Sequence, residues 1–83
     1  MTELARTPRQ IGIAIQRERK KRGWTQTQLG ERAGLRQETI SLIESGHKAA
    51  RLETILSVLA ALDLEFTIDA RGRARESDIE DMF

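Results

Sequence analysis

The residues best equipped for recognition chemistry lie close together, in the stretch GWTQTQLGERAGLRQETISLIESGHK from Gly23 to Lys48. Arg36, Gln37, Glu38 and Ser41 put a guanidinium, an amide, a carboxylate and a hydroxyl on one short segment. These groups match the edges of DNA bases. A glutamine amide can meet adenine at two points, a guanidinium can reach guanine or a phosphate, and a carboxylate can accept from the cytosine amine. Glu38 has a second reading, as an acid that stabilises the positive end of a helix dipole, and both readings stand. Gln26, directly after Thr25, is placed to offer its side chain and neighbouring helix-terminal amides to a phosphate, which fixes register without reading sequence. Its plainer reading is surface solvation. Thr25, His47 and Lys48 are grouped with Gln26 as phosphate contacts, His47 as a loop residue near the backbone. Catalysis has no comparable cluster. Ser41 and Ser45 lack a base, His47 is the sole histidine, there is no cysteine, and no glycine-rich phosphate loop is present. Neither an enzymatic activity nor a metal or other cofactor is expected.

To act together, these side chains need a scaffold, and the hydrophobic periodicity supplies a helical one. A first helix is predicted from Thr7 and Pro8, a capping hydroxyl followed by the preset torsion of proline, to about Arg22. Ile11, Ala14 and Ile15 form its inward stripe. Arg17, Arg19, Lys20, Lys21 and Arg22 crowd its last turns, where cations complement the dipole, and Gly23 ends it. Thr25 and Gln28 have capping-box spacing, so a second helix runs from there to Gly34. A third resumes after Leu35 and Arg36, carries Ile40 and Ile43, and closes at Gly46. A fourth is marked by Leu52, Ile55, Leu56, Leu59 and Leu62. Leu29, Ala33, Leu35, Ile40 and Ile43 tie the second and third helices together, with small Ala33 permitting close approach and Gly34 the turn. In such a helix-turn-helix the opening of the second member enters the major groove, so Arg36, Gln37, Glu38, Ser41 and Leu42 are expected to face base edges. Trp24 could stack on a base, but its place between two helices favours a core plug.

Beyond the fourth helix the period changes. Leu64, Phe66, Ile68 and Ala70 alternate with polar residues, the pattern of a half-buried strand over about 64–70. No second strand pattern exists in the sequence, so the expected solution is pairing with the same segment of a second copy, with Leu64, Phe66, Ile68 and Ala70 as the dimer seam. An unpaired extended tail is the alternative. The 83 residues, 39% hydrophobic and 33% charged, suit one domain over 7–71, with a flexible arm over 1–6 and a disordered acidic tail over 72–83. The fold class is mainly α, four to five helices plus one strand. Residues 1–52 carry 11 Lys and Arg against 5 acids, a net +6, while residues 53–83 carry 3 against 8, a net −5. A basic front and an acidic rear suit a polyanion met from one side. No apolar stretch is long enough to span a bilayer or serve as a signal peptide, which places the expected location in the cytoplasm.

Gly23, Trp24, Thr25, Gln26, Leu29, Gly34, Ile40, Ser41, Glu44 and Gly46 together resemble the helix-turn-helix pattern of the lambda-repressor-like Xre/Cro family, over about Ile11 to Asp69. That resemblance implies DNA binding, a phosphate role for Gln26 and base reading by Gln37 and Ser41. Arg36 and Arg51 stand where many members carry a small helix-capping residue. More narrowly, the Thr7–Pro8 start, the GWTQ turn, the LEFTIDA segment and the acidic tail ending in an aromatic residue look like HipB-type antitoxins. The implied partners are palindromic double-stranded operator DNA, a second copy of the chain, and a HipA-type serine/threonine kinase toxin. Two other functions compete with an autoregulating antitoxin: a stand-alone repressor without a toxin, and an adaptor that uses the fold for protein contacts alone.

Overall fold

The structure, a computed structural model, describes residues 4–71. Four α-helices are present among them: α1 Pro8–Lys21, α2 Gln26–Ala33, α3 Gln37–Glu44 and α4 Leu52–Ala61. Each helix start has a local cause where the sequence supplies one. The Thr7 hydroxyl accepts the Gln10 amide at 3.1 Å, and Pro8 opens α1. At α2 the capping box is complete, with the Gln28 amide donating to Thr25 Oγ1 at 3.1 Å and the Thr25 amide donating to Gln28 Oε1 at 2.8 Å. Arg36 and Arg51 occupy the caps of α3 and α4 with no side-chain capping bond. Those two helices therefore rely on packing rather than on their first turns.

Packing centres on Ile15, Leu29, Ile40, Ile43, Val58 and Leu62, all buried, with Ile11, Trp24, Ala33, Leu35, Leu59 and Leu64 against them. Helix α3 lies against both α1 and α2, and α4 lies against α2. The turn between α2 and α3 uses Gly34 at φ +73°, as the sequence predicts. Ala33 packs against the core, and a second close approach, not read from the sequence, is made at Gly30. The Leu35 amide donates to the Gly30 carbonyl at 2.7 Å, and a Cβ on Gly30 would lie 2.6 Å from the Leu35 carbonyl oxygen. Trp24 is half-buried against the core, and the Arg32 guanidinium covers its ring at 4.1 Å from the centroid. This is the core plug, closed on its outer side by a cation–π contact.

Helix α4 is covered on one side only: Leu52 and Leu56 are exposed, while Val58 and, just past the helix end, Leu62 are fully buried. Four short helices have too little apolar area to cover every side of α4. The expected strand needs correction: none forms among the described residues, so the fold is all-helical with four helices. A single chain carries only one alternating segment, and a ladder needs a partner strand. Leu64 is half-buried against the core, whereas Phe66, Ile68 and Ala70 are exposed, Ile68 at 93%. Residues 4–6 precede α1 in no regular element. The tail expected over 72–83 lies outside the described residues, as do the first three residues of the arm. Among the described residues no helix is long and apolar enough to cross a membrane.

Candidate nucleic-acid interface

Helix α3 divides cleanly into two faces. Ile40, Ile43 and Glu44 turn inward and are buried. Arg36, Gln37, Glu38 and Leu42 are exposed and Ser41 is half-buried, so the five expected base readers line one open surface, with Arg36, Gln37 and Glu38 at the helix start and Ser41 and Leu42 a turn further on. The N-terminus of α2 adjoins that surface. Thr25 is exposed, but its hydroxyl oxygen is already engaged as the cap of α2. His47 and Lys48 lie exposed in the loop after α3, where His47 Nδ1 accepts the Ala49 amide at 3.2 Å. That bond fixes the neutral ring's proton on Nε2, which leaves an N–H donor on the outer edge.

What joins these parts is a run of hydrogen bonds from the interior to the surface. Arg19 grips Glu44 at two points, Nε to Oε2 at 2.7 Å and Nη2 to Oε1 at 3.0 Å, with its third nitrogen donating to the Trp24 carbonyl at 2.7 Å. Side-chain exposure is 10% for Arg19 and 2% for Glu44. Gln26 Nε2 donates to Glu44 Oε1 at 3.1 Å, and Gln37 Nε2 donates to Gln26 Oε1 at 2.6 Å. The polarity of this relay is forced. An ionised carboxylate only accepts, so Gln26 must turn its NH2 toward Glu44 and its carbonyl toward Gln37. Gln37 must then turn its own NH2 toward Gln26. Its Oε1 and its second N–H remain for a ligand, one acceptor and one donor in a plane, the complement of adenine N6 and N7.

Gln26 therefore has a role that sequence reasoning did not assign to it: it orients Gln37 as well as lying at the helix terminus expected to meet phosphate. Arg19 and Glu44 were missed altogether as site residues, since Arg19 was read as one of several cations along the end of α1. A signal was present. Ile11, Ile15 and Arg19 follow at intervals of four, as do Ile40 and Glu44, so each charge sits on the apolar face of its helix and the two have opposite sign.

The helix-turn-helix family pattern matches residues 15–68. Antitoxin HipB of Escherichia coli strain K12 is 35% identical over 72 residues, covering 86% of this chain and 82% of the relative. Antitoxin HipB of E. coli O6:H1 is 33% identical over the same length, 86% of this chain and 77% of the relative. Among solved structures, a HipB variant in complex with an O2 20mer superimposes with a TM-score of 0.78 at 30% identity, over 84% of this chain and 97% of that one. A HipA–HipB–O2–O3 complex superimposes with a TM-score of 0.77 at 30% identity, over 83% and 97%.

Proposed function

The chain belongs to the helix-turn-helix family of non-enzymatic DNA-binding proteins, alongside the HipB antitoxins, and from that premise we propose that it is a sequence-specific transcriptional repressor of HipB type. Two chains bind a palindromic operator, each with the opening of α3 in the major groove, at half-sites about 34 Å apart or a multiple of that. The protein represses its own operon and holds a HipA-type serine/threonine kinase in the cytoplasm. The observation that carries the DNA reading is the Arg19–Glu44–Gln26–Gln37 relay, which delivers a pre-oriented amide to an exposed helix start. Gln37, Ser41, Arg36 and Glu38 read base edges, while Gln26, Thr25, His47 and Lys48 meet phosphates. The exposed apolar side chains of Phe66 and Ile68 support a dimer seam with Leu64 and Ala70, in which each copy supplies the strand partner that the other lacks. The relatives described as HipB with an O2 20mer and as HipA with HipB, O2 and O3 support both partners.

The test is a titration of the duplex upstream of the chain's own reading frame over a salt series. Affinity should fall steeply with salt, two chains should bind per palindrome, and Gln37→Ala should weaken binding about tenfold or more with the fold intact. Absent or salt-independent binding sinks the DNA reading and favours an adaptor. Co-purification with the product of an adjacent kinase gene tests the protein partner, and a neighbourhood without such a gene leaves a stand-alone repressor.

A further inference from the structure

We propose that Leu42 reads the 5-methyl group of a thymine in each half-site, so that this chain selects a base that its polar readers do not. The inference rests on the DNA-binding reading above and names the chemical group taken by the apolar part of the same face.

Leu42 is 49% exposed, whereas Ile40 and Ile43 on the same helix are at 0% and 3%. It stands next to Ser41 and four residues beyond Glu38, so it shares the open face of α3. The backbone beneath it is held firmly. Its carbonyl accepts Ser45 Oγ at 2.9 Å and the His47 amide at 3.0 Å, which fixes the last turn of α3 against fraying. With Ile43, Ala49 and Ala50, Leu42 lines a shallow, largely apolar groove between α3 and the start of α4. A leucine can neither donate nor accept. Pressed against a purine N7, a carbonyl or an amine, it would strip water from a polar group and replace no hydrogen bond. The one apolar group displayed in the major groove is the thymine methyl. Five residues separate Gln37 from Leu42, about 140° around the helix, so the two side chains leave opposite edges of the open face.

The experiment starts from the tightest duplex that the wild-type chain selects from a random-sequence pool. Each thymine of a half-site is replaced in turn by deoxyuridine, which removes the methyl and nothing else. One position per half-site should weaken wild-type binding about fourfold, the factor expected for burying one methyl-sized group, and both half-sites together about sixteenfold. Leu42→Ala, with an unchanged thermal midpoint, should bind the all-thymine duplex about as weakly as wild type binds the doubly substituted one, and should lose nothing further on substitution. The inference is overturned if the selected half-site holds no thymine, if no uracil position weakens wild type, or if both proteins lose equally. Uracil insensitivity alongside tight, salt-dependent binding removes only the thymine contact. Failure to bind the all-thymine duplex removes the DNA reading and this inference with it.

Discussion

Helix α1 carries two neighbouring ion-pair clusters that differ in every respect except chemistry. Glu18 meets Lys21 at 3.1 Å and Arg22 at 2.9 Å, partners three and four residues along the same helix at the edge of solvent. Arg19, the very next residue, meets Glu44 on α3, 25 positions away in sequence and buried. The first arrangement forms wherever such residues follow one another on a helix and is worth at most about 1 kcal/mol. The second exists only when the helices are assembled. Removing one partner strands a buried charge, which costs about 3–5 kcal/mol. Which face of the helix a charge occupies thus decides whether it trims the surface or organises the interior. The inner cluster alone is hydrogen-bonded, through Gln26, to Gln37 on the exposed face of α3.

The largest effect expected is therefore at Glu44. Glu44→Ala should lose about 3–5 kcal/mol of unfolding free energy in a denaturant titration. Replacing both partners, Arg19→Met with Glu44→Leu, should cost much less than the two single changes summed, because no charge is left unpaired. DNA affinity should fall in the double variant even though its fold survives, since Gln26 no longer meets an acceptor that dictates the direction of its amide. A Glu44→Ala loss no greater than that of a Glu18 variant would erase the contrast between the clusters.

A smaller effect should come from the contact that brings α1 and α3 together. A Cβ on Gly12 would lie 2.4 Å from the Ile43 carbonyl oxygen and 2.6 Å from that of Glu44. Both are backbone atoms that cannot swing aside. Gly12→Ala should force α1 outward and cost about 1–3 kcal/mol. Since the same displacement draws Arg19 away from Glu44, the coupling energy between them in a double-mutant cycle should shrink in the Gly12→Ala background. If the coupling persists undiminished, the ion pair does not depend on that approach.

Where recognition was written locally, the sequence could be read. Thr7 with Pro8, the Thr25–Gln28 box and Gly34 each act within a few residues, so the starts of α1 and α2 and the turn into α3 were legible to within a residue. The exposure of Arg36, Gln37, Glu38 and Leu42 followed from the turn alone. The Arg19–Glu44 pair was not found because its meaning is a distance across the fold, although both residues fall on apolar faces at intervals of four. Gly30 escaped for the same reason: nothing within its own helix shows that the Leu35 carbonyl will arrive beside it. The spacing of Leu52, Ile55, Leu56, Leu59 and Leu62 marked α4 as a helix without saying which of them this chain can cover, and Leu52 and Leu56 are exposed. The segment 64–70 shows the same limit, because an alternating pattern describes a strand only when another strand is there to pair.

The smallest effect belongs to the outer cluster, and its pH dependence sharpens the comparison. The Arg22 guanidinium, and after it the Lys21 ammonium, hold the Glu18 carboxyl below its ordinary value of 4.5 against a modest opposing effect of burial. A carboxyl with a lower pKa in the folded state contributes stability that is present in full above its unfolded value and is lost as pH falls through the folded one. Wild type should therefore exceed Glu18→Gln by less than about 1 kcal/mol near neutral pH, and the two should converge as the solution becomes more acid than 4.5. Raising salt toward about 1 M should close the same gap at neutral pH, because exposed charges are screened. It should leave the Glu44→Ala deficit nearly unchanged. Arg22 also donates to the Leu62 carbonyl at the end of α4, which gives the alternative a definite form. A Glu18→Gln deficit that survives both acid and salt would mean that Glu18 acts by aiming Arg22 at that carbonyl, and the outer cluster would then be structural in the same sense as the inner one.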